Sequence, residues 1–250
     1  MANVQQGFGN SPADAYFSIP PVTRYFATAC LALTTLVNFK LISPYLIYLS
    51  WSHILKLQVW RLVSPFLFLG GFSFRFLIQL IWLVTYGRTL ESSTFQFSTP
   101  DFVYMFMFGM GCMLAASLIP FFKFPFLASP LIFMLIYVWS RNFPTASVSI
   151  MGLVSVEAFY VPFAFLGISL ISGNDWLSDV LGILAGHLYY TLKVLLPAQG
   201  RQSLLETPQF VKNLVFASGI GTVNPREINP TNPGQAGFRA FRGRGQRLAG

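Results

Sequence analysis

Apolar residues gather in six segments along the chain, at about 24–39, 72–90, 102–119, 128–139, 158–171 and 177–196. Each predicts a helix. Between the first and second lies an aromatic, broken stretch, 40–71, interrupted at Ser43-Pro44 and Ser64-Pro65 and carrying Lys56, Arg61 and several Trp and Tyr rings. Such a stretch suits the headgroup level of a bilayer. Lys123 and Pro125 mark the turn before the fourth segment, and the polar linker SRNFPTASVS precedes the fifth. Several segments fall short of the roughly 20 residues that cross an unperturbed hydrocarbon core. Short spans imply local bilayer thinning or re-entrant packing. From about Gly219 the chain is rich in Gly, Pro and Asn, with too little apolar surface to offset the entropy of ordering, so disorder is expected there.

The predicted architecture is an all-α polytopic membrane protein, a six-span helix bundle with an interfacial first loop. Residues 1–20 form a cytosolic N-terminal segment, 21–200 the membrane domain, and 201–250 a cytosolic, mostly disordered tail. Composition agrees: 54% of residues are hydrophobic and only 10% charged, too few to clothe a soluble domain of 250 residues. The N-terminus lacks an apolar core and an A-x-A site, so the first span is expected to serve as its own insertion signal. Six spans place both termini on one side, and the arginine-rich tail places that side in the cytosol. Asp175 and Asp179 are assigned to the loop between spans five and six, on the opposite side. Lys40, Lys56 and Arg61 oppose the rule from the first loop, where snorkelling can hold them at the interface.

The net charge of +8 belongs to the tail and the span flanks and does not indicate nucleic acid. Cys30 and Cys112 sit in apolar runs as small hydrophobes, with no disulfide framework or metal cluster to join. No P-loop or Rossmann fingerprint is present, and no cofactor or metal is predicted. Polar groups at lipid depth are the first functional candidates. Arg75 and Gln79, four apart, share a helix face: either they line a hydrophilic cavity, or Arg75 snorkels and Gln79 bonds a neighbouring helix. Glu157 heads the fifth segment as an interfacial residue. Gly182 and Gly186 have the G-x-x-x-G spacing that lets two helix backbones approach. The two histidines, His53 and His187, have no partners at metal-ligand spacing.

Several stretches in order, SIPPVTRY, LISP, QVWRLVSPFLF with Trp60-Arg61, LIYVWSRN, LGILAGHLYY and ETPQF, resemble the Derlin family, protease-dead relatives of rhomboid intramembrane proteases. The resemblance covers about Ser18 to Phe210. It implies a rhomboid-like bundle in the endoplasmic reticulum membrane that helps move misfolded luminal or membrane proteins to the cytosol for degradation, alongside a ubiquitin ligase complex and in a homo- or hetero-oligomer. It also implies that the Trp60-Arg61 loop supports the fold and that an opening between spans two and five admits substrate. A rhomboid protease carries its serine in a G-x-S-G turn at the start of span four. Its histidine stands three residues before the G-x-x-x-G of span six, and a His/Asn pair sits in span two. Here Leu127-Ala128-Ser129-Pro130 lacks both glycines, Asp179 stands where the histidine would be, and Arg75 and Gln79 replace the pair. Acyl transfer needs nucleophile, base and oxyanion donors together, so no peptidase activity is expected. The alternatives are an active rhomboid-type serine protease and a small-solute transporter, and the latter would need paired broken helices that are not evident.

Moving a polypeptide needs an energy source that the spans lack. The tail Phe241-Arg242-Gly243-Arg244-Gly245-Gln246-Arg247-Leu248 fits F-x-G-x-G-x-x-L and resembles the SHP box that binds valosin-containing protein, a hexameric AAA ATPase. Phe241 and Leu248 are apolar anchors, Gly243 and Gly245 let the backbone lie against a partner, and Arg244 and Arg247 steer toward an acidic surface.

Overall fold

A computed structural model of the chain describes residues 11–119, 122, 124–150, 154–173, 175–200 and 205–220. The helices are α1 (Pro12–Phe17), α2 (Pro21–Asn38), α3 (Pro44–Ile47), α4 (Trp51–Ile54), α5 (Phe74–Thr89), α6 (Thr99–Ala116), α7 (Ala128–Asn142), α8 (Val161–Ile171), α9 (Trp176–Tyr190), α10 (Leu196–Ala198) and α11 (Gln209–Ala217). Six of them, α2 and α5 to α9, fall on the six apolar segments. Thr99–Ala116 and the continuous run Trp176–Ala198 are long and apolar enough to cross a membrane, and α8 lies in a shorter apolar helical stretch. The polar linker before α8 begins as the last turn of α7 and runs into a strand. It forms an antiparallel hairpin of β1 (Ser147–Ile150) and β2 (Val154–Glu157), with Ser147 opposite Glu157, and Glu157 is exposed there.

Helix α7 is the centre of the bundle. Its residues from Pro130 to Ser140 are all buried, as expected of a helix apolar on every side. Helices α5, α6, α8 and α9 pack around it, α9 most extensively. That contact depends on two glycines. A Cβ on Gly182 would be driven into the Pro130 carbonyl oxygen and come within 2.9 Å of Phe133 Cβ, and one on Gly186 would lie 3.0 Å from Tyr137 Cβ. The two backbones therefore touch where these positions lack side chains.

Remote side chains complete the helix ends. The first turn of α2 begins Pro20-Pro21 and has no local side-chain cap. Glu91, in a π-helical turn after α5, supplies one: its Oε1 accepts from Val22 N at 2.9 Å, and its Oε2 from Thr23 N at 2.8 Å and Thr23 Oγ1 at 2.7 Å. A carboxylate at this end also complements the helix dipole. At the same end of the bundle Thr207 donates to Asp101 at the start of α6, and Lys193 lies 3.7 Å from the other Asp101 oxygen. These contacts dock α11, which buries Val211 and Val215 against the bundle. A packed helix thus occupies 209–217, within the region the sequence assigns to a mostly disordered tail; the Phe241 to Leu248 motif lies outside the described residues.

The first loop folds around Arg61. Snorkelling predicts an exposed guanidinium, yet Arg61 is only 3% exposed. Its Nε donates to Gln58 Oε1 at 2.7 Å, and its Nη1 to the Tyr45 and Tyr48 carbonyls at 2.9 and 3.0 Å. The group also stacks over the Tyr48 ring. An irregular loop has carbonyls without ladder partners, and a five-donor guanidinium satisfies several at once. Trp60 stays half-exposed and donates to the Leu46 carbonyl at 3.2 Å.

The packing predicts a contrast between glycines. Gly182→Ala meets unyielding backbone and should cost about 1–3 kcal/mol, the usual scale of overpacking. Gly111→Ala, with nothing within 4 Å of the added carbon, should not lower stability. Thermal unfolding of the two purified variants in detergent compares them; equal midpoints would contradict the close approach.

Candidate functional site

At the end of the bundle that carries the first loop, the N-terminal turns of α5, α7 and α9 converge. Ser73 caps α5 by accepting from Phe76 N at 3.2 Å, which fixes the direction of the first turn. From that turn Arg75 and Gln79 face Ser129 at the start of α7. Gln79 Nε2 donates to Ser129 Oγ at 2.9 Å, and Arg75 Nη2 approaches the same oxygen at 3.4 Å. Ser129 in turn donates to Asp179 Oδ1 at 2.7 Å. Ser169 on α8 donates to Asp179 Oδ2, and Ser178 Oγ lies 3.4 Å from Oδ1. Hydroxyls from three helices thus meet on one carboxylate, and α5 joins them through Ser129.

Asp179 is fully buried. It does not lie in an aqueous loop between spans, as the charge pattern suggests, but inside α9 and facing α7. A carboxylate taken from water is tolerated only when hydrogen-bond donors replace the lost hydration, and the three serine hydroxyls do so here. Above this bridge opens a cavity of about 320 Å³, lined by Gly70, Ser73, Arg75, Gln79, Ser129 and Ser178, among others. The rings of Phe68 and Phe126, tilted against each other with centroids 4.7 Å apart, contribute to its apolar wall. Arg75 and Gln79 therefore both line a cavity and bond across to a neighbouring helix. The sequence presents these as alternatives; the structure combines them.

The geometry bears directly on chemistry. The Ser129 hydroxyl gives its proton to a carboxylate and receives donors from Gln79 and Arg75, so each of its bonding positions is occupied. No imidazole joins it. His187 Nδ1 pairs with the Tyr137 hydroxyl at 2.7 Å, and two turns of α9 separate His187 from Asp179. His53 Nδ1 pairs with Ser50 Oγ at 2.9 Å in the first loop. Among the described residues no three His, Cys, Asp or Glu side chains cluster at metal-binding distance. Sequence reasoning found Arg75 and Gln79 by their shared face. It missed Asp179 as the hub, although a carboxylate three residues before a helix-packing glycine is a readable signal. Ser169, in an apolar run, carries no such signal.

Together these features define an α-helical bundle with span-length apolar helices and a polar cavity closed over a serine–aspartate bridge. The model of the Der1-like family matches residues 19–209. Derlin-1 of Arabidopsis thaliana is 39% identical over 263 residues, spanning 96% of this chain and 99% of that relative. Derlin-1 of Oryza sativa subsp. japonica is 40% identical over 241 residues with the same coverage. Derlin-2.1 of Arabidopsis thaliana is 35% identical over 223 residues, covering 85% of this chain and 91% of its own length. The chain belongs to the Der1-like family.

The bridge makes a measurable prediction. Ser129→Ala and Asp179→Ala should each lower stability, by about 1–3 kcal/mol for a bond to a buried charge. The double variant should cost less than the sum of the two, since each change removes the same contact. Simple additivity in a double-mutant cycle of unfolding midpoints would count against the bridge.

Proposed function

We propose that this protein is a multi-pass component of the endoplasmic reticulum membrane that serves protein degradation without cleaving its substrates. It helps misfolded luminal or membrane polypeptides cross to the cytosol, acting with a ubiquitin ligase complex and as a homo- or hetero-oligomer. The observation that carries this reading is the Ser129–Asp179 bridge. A hydroxyl whose proton is held by a carboxylate, with no histidine beside it, has no route to acyl transfer. What the site offers instead is a wet, polar recess within an apolar bundle. Exposing polypeptide backbone to hydrocarbon costs several kcal/mol for each unsatisfied group, and polar side chains in a bundle of short helices lower that barrier. Between α5 and α8, Trp82 and Phe165 stack at 4.0 Å with planes 9° apart. Substrate entering from the bilayer at this edge would part the two rings.

The pulling force comes from outside the bundle. The sequence from Phe241 to Leu248 supports docking of valosin-containing protein, with both termini in the cytosol where that ATPase works. Phe241 and Leu248 fill pockets, Gly243 and Gly245 allow close backbone approach, and Arg244 and Arg247 guide encounter.

Two experiments test the proposal. A fluorophosphonate probe should leave Ser129 unlabelled in the membrane-embedded protein; labelling that disappears in Ser129→Ala would establish a live nucleophile. Gly243→Ala combined with Leu248→Ala should abolish pulldown of the ATPase while membrane insertion persists. Undiminished pulldown by that variant would refute tail docking.

A further inference from the structure

A second polar cluster lies at the opposite end of α7 from the cavity, and the proposed function makes no use of it. Arg141 stands in the last turn of α7. Its guanidinium carbon lies 4.7 Å from the centre of the Tyr137 ring and 4.0 Å from that of Phe159, at the entry to α8. Two aromatic faces thus fix the guanidinium in place. Tyr137 is itself buried and held by its hydroxyl bond to His187 Nδ1, with the two rings edge to face. A phenol is a good donor; giving its proton to Nδ1 places the imidazole proton on Nε2, and His187 is exposed on the bundle surface.

The bonding of Arg141 is incomplete. Its Nε is covered and has no hydrogen-bond partner, although the residue as a whole is only half-buried. Among the described residues no carboxylate forms an ion pair with it. Glu157, two residues before Phe159, is exposed and makes no ion pair with it. Arg61 offers the comparison within this chain, because there Nε is taken by a glutamine and Nη1 by two loop carbonyls. The two Nη nitrogens are neither covered nor bonded, and a guanidinium stacked on its faces and open at that end is shaped to grip an oxyanion.

We propose that Arg141, stacked between Tyr137 and Phe159 and flanked by His187, binds the phosphate of an anionic phospholipid at the membrane boundary. The site lies where the end of α7, the entry to α8 and His187 of α9 come together. Headgroups gather at basic sites between helices, and a cation without a countercharge favours anionic over zwitterionic lipid. Phe159 and Tyr160 are exposed beside it and supply apolar surface for the acyl chains. This inference rests on the bundle lying in a bilayer, but not on retrotranslocation or ATPase docking.

The test uses the full chain in nanodiscs of phosphatidylcholine, with and without phosphatidic acid, followed by native mass spectrometry of the lipid that stays bound. Insertion is checked first by co-flotation with vesicles; failure there overturns the membrane reading itself. The inserted wild type should retain phosphatidic acid in preference to phosphatidylcholine. Arg141→Gln should lower that retention roughly tenfold, the scale of one charge-assisted pair. Arg141→Lys should recover only part of it, because an ammonium keeps the charge but loses fork and stacking. Phe159→Leu, which preserves apolar volume, should also weaken retention, whereas Lys56→Gln in the first loop should not. Equal retention by wild type and Arg141→Gln, with both inserted, overturns the site alone. Release of the lipid by added inorganic phosphate would assign the site to a soluble anion instead and overturn the lipid as occupant.

Discussion

Helix α9 can lie against α7 only because Gly182 and Gly186 leave room for the α7 backbone, and both polar clusters follow from that approach. Ser129 meets Asp179, and eight residues further along each helix Tyr137 meets His187; in both pairs the partners are fifty positions apart. The two helices therefore run parallel in one constant register. Close backbones bring short side chains such as serine and aspartate within bonding distance, where bulkier spacing would separate them by a full side-chain layer. A single packing seam thus builds a cavity floor at one end and an aromatic–histidine pair toward the other.

Around this seam the bundle treats its buried charges in different ways. Glu91 caps a helix, Arg61 gathers the carbonyls of an irregular loop, and Asp179 collects serine hydroxyls from three helices. In each case the charge is offset by donors or acceptors that would themselves be unsatisfied at that depth. Each also joins elements distant in sequence, so the polar network specifies how the helices meet while apolar packing supplies the attraction. The cavity is the exception in shape: there the network stops short of filling the space, which leaves polar surface facing an opening.

The network also fixes the chemistry at the floor of the cavity, where Ser129 is bonded to a carboxylate and an amide rather than to an imidazole. Aspartate at position 179 accepts the serine proton without being able to pass it to a leaving group as an imidazolium does. Arginine and glutamine from α5 occupy the serine oxygen rather than an oxyanion. The same residues make the recess polar.

Much of this was legible in the residue pattern. The apolar segments predicted where six helices would lie, since lipid-compatible helices must be continuous runs, and Pro and Gly marked most of their ends. The i, i+4 spacing of Arg75 and Gln79 put them on one face, and the glycine pair marked a helix contact. Other features could not be read this way. The inward turn of Arg61, the packed α11 and the burial of Asp179 depend on partners 10 to more than 100 positions away, as Ser169 with Asp179 and Thr207 with Asp101 show, and the hairpin of β1 and β2 on pairing that its polar residues do not announce. Sequence alone determined the apolar helical class and the family, because these are properties of composition and local order. Only the tertiary structure decided which polar groups would be satisfied by which, because hydrogen bonds between helices are set by register and approach, and those emerge when the helices pack.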